Sequence, residues 1–184
     1  MKNTILLSTV GVMVVFFLIL IGGLLSFRTD SVNFEETIKA QYSQNQNNYD
    51  NLWKTFKEIS QVTEQYATDL KELFDNAMTG RYGENGSQAM FQWLHEQNPT
   101  LSVETYTTLQ VAIEAGRNSF EADQKQLIAK KEQYAKLLRS NKAIVYNAIL
   151  DFPTINLDEY SIVTSEQTDA VFETKKAEEI NLFN

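Results

Sequence analysis

The chain has 184 residues, a formal net charge of −8 and no cysteine. That length predicts about one domain, and the missing thiols exclude disulfides, thiolate metal sites and cysteine nucleophiles. The acidic balance argues against binding a phosphate backbone, because such affinity rests on Lys and Arg displacing counterions.

The first element in the chain is an apolar run. Thr4 to Phe27, "TILLSTVGVMVVFFLILIGGLLSF", carries no charge over 24 residues. At about 1.5 Å per residue it reaches about 36 Å, enough to cross a hydrocarbon core of about 30 Å with some tilt. A secretory signal would have a shorter apolar stretch followed by a small-residue cleavage site. The end here reads Gly22, Gly23, Leu24, Leu25, Ser26, Phe27, so an uncleaved anchor is predicted. Gly22 and Gly23 offer a close-approach face to a second copy, but without GxxxG spacing they carry little weight. Lys2 on one side and Arg28 and Lys39 on the other nearly cancel, which leaves the orientation open. The triplet Asn85-Gly86-Ser87 reads as a turn.

The next element has no proline or glycine from Val32 to Ala77. Alternating steps of four and three give Ile38, Tyr42, Asn45, Tyr49, Leu52, Phe56, Ile59, Thr63, Tyr66, Leu70, Leu73 and Ala77, a mostly apolar seam of mean period about 3.5. The off-seam Trp53, Val62 and Phe74 widen the stripe, as contact with more than one neighbour requires. Asp30 or Ser31 is placed to cap the start and Gly80 to end it. The expectation is one helix over residues 31–78, about 70 Å long. It is continuous but soft at "SQNQNNYDN", where Asn45 is either a register-setting polar contact or a mark of looseness.

A short helix is expected over "SQAMFQWLHEQ", capped by Ser87 and preceded by a loop "GRYGENG". A second long helix follows Asn98-Pro99, with Ser102 as N-cap and a seam through Tyr106, Leu109, Ile113, Gly116, Phe120, Asp123, Leu127, Lys130, Tyr134, Leu137, Asn141, Ile144 and Ala148. Two such helices, joined by about 23 residues, can turn back on each other as an antiparallel pair. "DFPTINLDEYSIVT" reads as extended and lying along the bundle. The tail from Ser165 can form another helix through Val171, Phe172, Ile180 and Leu182.

In that order, "YDNLWKTFKEI", "NPTLSVETYTTLQVAIEAGRNSF" and "YNAILDFP" resemble blocks of the LemA family. Asn98, Pro99, Leu101, Leu109, Gln110, Glu114 and Arg117 are similar to its middle block, and Tyr146, Asn147, Ile149, Phe152 and Pro153 to its closing one. The chain departs from the family in lacking the proline of its "LIPNLV" block and in carrying "DQKQLIAKKEQYAKLLRS" as additional helix. The resemblance implies a membrane-anchored antiparallel helical bundle whose short N-terminus lies outside the cytoplasm.

Chemistry finds little purchase. His95 is the single histidine; a zincin needs H-E-x-x-H, and Pro99 stands where the second histidine would be. The pairs Glu35-Glu36, Asp158-Glu159 and Glu178-Glu179 diverge by about 100° on a helix and read as solvated faces. Asp123 and Lys130 read as an exposed helix centre rather than a partner-facing ion pair, and the seam tyrosines as a bundle interior with phenols at the solvent rim.

The sequence therefore predicts an all-α protein with a transmembrane helix over residues 1–28, an elongated antiparallel bundle built on two long helices over 29–157, and a partly helical tail over 158–184. The expected function is a protein-interaction or scaffold module at the membrane. The alternative is a membrane-tethered sensor or regulator holding a small ligand between helices. The expected partners are the lipid bilayer, an unidentified protein and a second copy of the chain. No nucleic acid, cofactor, metal or catalytic residue is expected.

Overall fold

The computed structural model describes residues 2–63, 66–79, 83–150, 154–164 and 173–174; for residues 2–6, 83–86 and 149–150 it describes the backbone alone. The protein is all-α, a bundle of five helices with no strand among the described residues. They are α1 (Lys2–Ser60), α2 (Ala67–Thr79), α3 (Gly83–Gln97), α4 (Val103–Leu138) and α5 (Asn141–Leu150), followed by a 3₁₀ turn at Leu157–Tyr160. The chain divides into two compact units, Met1–Gln41 with Leu127–Tyr160 and Tyr42–Gln126 with Ser161–Asn184.

In the first unit α1 begins as the apolar run, whose side chains point outward: Leu7 and Ile19 are 78% and 69% exposed. The expected cap at Asp30 or Ser31 is not a helix start. Thr29 Oγ1 donates to Leu25 O at 2.9 Å, a bond back into the same helix, and Ser31 is fully buried within it. From the last residue of the apolar run onward the helix buries Phe27, Ser31, Glu35 and Ile38, an inward stripe at steps of three and four. Against it α4 and α5 run in the opposite direction. Glu35 meets Tyr134 of α4, and Phe27 meets Tyr146 of α5, with ring centroids 5.5 Å apart.

The second helical seam is interrupted. α4 ends at Leu138 and α5 restarts at Asn141, with Ala143 N donating to Ser140 Oγ at 3.2 Å. Ser140 thus acts as an N-cap that satisfies an amide the new helix leaves without an intrahelical acceptor. The inward face shifts accordingly. Ala143 is fully buried, while Ile144, expected in the seam, is 65% exposed.

In the second unit α1 continues without a break through residues 43–51, so the Asn-rich stretch does not interrupt it. The interruption lies further on, contrary to the expected single helix over 31–78. α1 ends at Ser60, Gln61 takes a positive φ of 54°, and α2 folds back on α1. Phe74 of α2 packs within ring contact of Tyr49, Trp53 and Phe56, its centroid 5.8, 5.5 and 5.3 Å from theirs. Of the off-seam aromatics that widened the stripe, this reversal buries Phe74 and half-buries Trp53.

α3 begins at Gly83 rather than Ser87, so the second half of "GRYGENG" is helix and not loop. A helical glycine costs only about 1 kcal/mol relative to alanine, and α3 is held by the burial of Met90, Phe91 and Leu94. These join Phe56, Leu70, Phe74, Leu109 and Ile113 in one core. Ser102 caps α4 as expected, accepting from Thr105 N at 3.1 Å. The segment after Pro153 is a 3₁₀ turn between irregular stretches rather than an extended strand. It is bound to α4 through Lys131 Nζ, which donates to Tyr160 O at 2.9 Å, and through Val163 N, which donates to Gln124 Oε1 at 3.4 Å. Gly80, Phe152, Pro153 and the tail positions Val171, Phe172, Ile180 and Leu182 lie outside the described residues.

Candidate functional site

The interior of the second unit contains polar groups at the seam where α1 meets α4. Asn45 Nδ2 donates to the backbone carbonyl of Asp123 at 3.1 Å, and Asn48 Nδ2 donates to the Asp123 carboxylate at 2.8 Å. Asn45 is thus a polar seam contact. Asp123, expected at an exposed helix centre, is buried at 8% exposure; the Asn48 amide gives its carboxylate a hydrogen bond of the kind a buried charge requires, while Asn45 satisfies its backbone carbonyl.

One helical turn on, Tyr49 Oη donates to Asp75 Oδ1 at 2.6 Å, and Lys71 pairs with the same carboxylate oxygen. The Lys71 ammonium also stands 5.1, 5.5 and 5.8 Å from the ring centroids of Tyr49, Trp53 and Phe74, a cation–π setting. Burial first, and the bond to Asp75 second, hold the Tyr49 phenol well above its ordinary pKa.

The first unit has its own buried pair. Tyr134, fully buried, donates through its phenol to Glu35, which is 9% exposed. Burial and the carboxylate together push the Tyr134 pKa well up. Glu35 therefore departs from the solvated face expected of Glu35-Glu36, whereas Glu36 is exposed and pairs with Lys39 at 2.8 Å. The Tyr134 phenol is tied to an interior carboxylate rather than reaching a solvent rim, whereas half-buried Tyr49 bonds to Asp75, whose side chain is 43% exposed, as a phenol at the rim would. Asp158 and Glu159 are exposed, and Glu178-Glu179 lies outside the described residues.

Beside the Asn48–Asp123 contact, between α1, α2 and α4, a groove of about 290 Å³ opens within the second unit. Its apolar walls include Leu52, Phe56 and Ile113, and its polar margin Asn48, Thr55 and Ser119. Gly116 lines it and lets the Leu52 side chain approach closely: a Cβ there would stand 3.3 Å from Leu52 Cδ2. Among the described residues that line it none is charged, so its chemistry suits a small uncharged molecule with one apolar face and hydrogen-bonding groups. A broader depression of about 490 Å³ lies between α3 and the start of α4, edged by His95, Phe91, Leu101 and Tyr106. His95 is exposed on α3, and among the described residues no group of three His, Asp or Glu side chains is arranged to hold a metal ion.

No protein-family model, curated protein or solved structure matches the chain.

The buried polar contacts were only partly visible in the sequence. Asn45 and Asp123 interrupt otherwise apolar seams, and that interruption is the readable signal. Nothing in the sequence pairs them, because the pairing depends on the antiparallel register of α1 and α4. Gly116, read as a poor seam position, lines the groove and admits Leu52 and Met78 at close range.

Proposed function

We propose that the chain is a single-pass, membrane-anchored interaction module that presents its helical bundle to a protein partner at the bilayer surface. One observation carries the reading: α1 runs unbroken from outward-facing apolar side chains between Leu7 and Leu25 into the inward-facing Phe27, Ser31, Glu35 and Ile38. One helix long and apolar enough to cross a membrane is present near the N-terminus. A span that is also a wall of the bundle holds the bundle at the membrane without a flexible linker, which raises the local concentration of its surface toward membrane partners. The resemblance to the LemA family supports the same reading and implies a bundle on the cytoplasmic side.

Proximity labelling tests it. The full-length chain is expected to label a discrete set of membrane-adjacent proteins that a chain beginning at Thr29 does not label. Identical sets from both would overturn the reading.

A second reading, a regulator that binds a small ligand between helices, is favoured by the groove beside Gly116. Gly116→Leu would push against Leu52 and Met78 and so reshape that groove. If the regulator reading holds, uncharged amphiphiles that raise the melting temperature of the native chain should fail to raise that of the variant. Equal shifts would remove the groove from consideration.

A further inference from the structure

α5 presents apolar side chains to its surroundings while packing on the end of the apolar run. Ile144 and Val145 are 65% and 50% exposed, and Ala148 is exposed as well. The opposite face is fixed to α1. Ala143 is fully buried, the Tyr146 ring packs at a tilt against Phe27, and a Cβ added at Gly23 would collide with the Tyr146 hydroxyl.

The level at which this contact occurs decides what covers the exposed face. A membrane-crossing helix needs about 20 residues. Even the earliest such stretch, starting at Thr4, ends at Gly23, and the uncharged run ends at Phe27. Gly23 and Phe27 therefore bracket the boundary between acyl chains and headgroups, and Tyr146 touches α1 at that boundary. At about 15 Å, α5 is too short to cross a bilayer. Its sequence, "NKAIVYNAIL", has no acidic residue, while Arg139 and Lys142, both exposed, stand just before it and in its first turn. Basic residues at the start of a short apolar helix with a tyrosine on it suit an anionic interface, where long cationic side chains reach the headgroups and the aromatic ring sits at their level.

We propose that α5 is a second membrane contact, lying in the headgroup–acyl boundary of the bilayer that the N-terminal helix crosses, with Ile144 and Val145 inserted among the lipids. The proposal rests on the anchor reading. It adds that the bundle is held at the surface by two elements, so that residues more than a hundred positions apart in sequence share one lipid interface.

The native chain has no cysteine, so single-cysteine variants of the full-length protein can each carry one environment-sensitive fluorophore. Ile144→Cys and Val145→Cys replace exposed side chains and leave the buried face of α5 intact; Leu18→Cys reports the span and Val111→Cys the exposed surface of α4. Each is placed in vesicles of phosphatidylcholine and phosphatidylglycerol containing a lipid spin-labelled near the top of its acyl chain. The expected result is loss of fluorescence at positions 18, 144 and 145 and none at 111. Quenching at 18 without quenching at 144 and 145 would overturn the proposal and leave the anchor standing. No quenching at any position would overturn both. A blue-shifted signal at 144 that rises with protein density and ignores the spin label would assign the face to a second copy of the chain, and would likewise overturn the proposal.

Discussion

Tyr134 and Glu35 form the buried pair whose balance is easiest to upset. Glu35 is 9% exposed, and Tyr134 is buried completely while donating to it. Removing the donor leaves a carboxylate short of a hydrogen bond inside the protein, which costs about 1–3 kcal/mol or more for a charged group. Tyr134→Phe is therefore expected to lower the denaturation midpoint by that order, and Glu35→Met in the same chain to restore part of the loss, since two apolar groups leave nothing unsatisfied. A double variant less stable than Tyr134→Phe alone would show that the pair is not what the substitution disturbs. The same phenol sets an alkaline limit. The pKa values of Tyr49 and Tyr134 are raised above the ordinary 10.0, so above about pH 10 the unfolded chain releases phenolic protons that the native chain keeps. Stability from these groups is fully present below pH 10 and is lost as pH rises beyond it. Melting temperatures across that range should fall less steeply for Tyr134→Phe than for the native chain. At this scale the sequence could not say which of Glu35 and Glu36 turns inward. Adjacent helical residues differ by about 100°, and the choice belongs to the facing phenol, 99 positions away.

At the scale of the elements, the helical seams were legible where apolar residues recur at steps of three and four, and the reversals were not. Residues 32–77 hold no glycine or proline, the residues that usually mark a helix end. The turn is made instead by Gln61, a residue with a Cβ held at a φ of 54°, followed by Val62 and Thr63, whose β-branching lowers their preference for helix. What forces the reversal is burial: Phe74, 1% exposed, is covered when α2 returns to Tyr49, Trp53 and Phe56. Phe74→Ala is accordingly expected to cost about 3–5 kcal/mol in chemical denaturation. Lys54→Ala, which removes only an exposed pair with Asp50, should change little. Gln61→Gly should act in the other direction. A left-handed backbone costs a residue with a Cβ roughly 1–2 kcal/mol, and a gain of about 1 kcal/mol is expected after the added chain entropy of glycine is counted. No gain would mean that Gln61 is not held left-handed in solution. Ser140 and Asn141, a good capping residue and a weak helix former, were the readable hint that the second helix divides.

Across the whole molecule, the apolar run long enough to cross a membrane was plain in the sequence but its continuity with the bundle was not, because Asp30 and Ser31 are residues that commonly begin helices. They sit inside α1, and the contacts from α5 fall on Gly23 and Phe27, upstream of that expected boundary. An anchor removed at Thr29 therefore takes with it part of the surface on which α5 rests. Full-length protein should stay with membranes through alkaline or high-salt washing, since burial of an apolar span is not screened by ions, and the chain beginning at Thr29 should be released. The released chain should keep the core around Phe56, Phe74 and Leu109, which draws on residues downstream of Tyr42. Its α5, however, would lose the Phe27 ring and the Gly23 backbone as partners for Tyr146, and local opening there should become easier. Trypsin provides the readout, because Arg139 and Lys142 flank the start of α5. Cleavage after these residues should be faster in the shortened chain than in the full-length protein in detergent, while sites in the second unit, such as Lys54 and Lys57, should be cut at similar rates in both. Equal rates at Arg139 and Lys142 would mean that the end of the anchor does not support α5, and that the two segments meet without depending on each other.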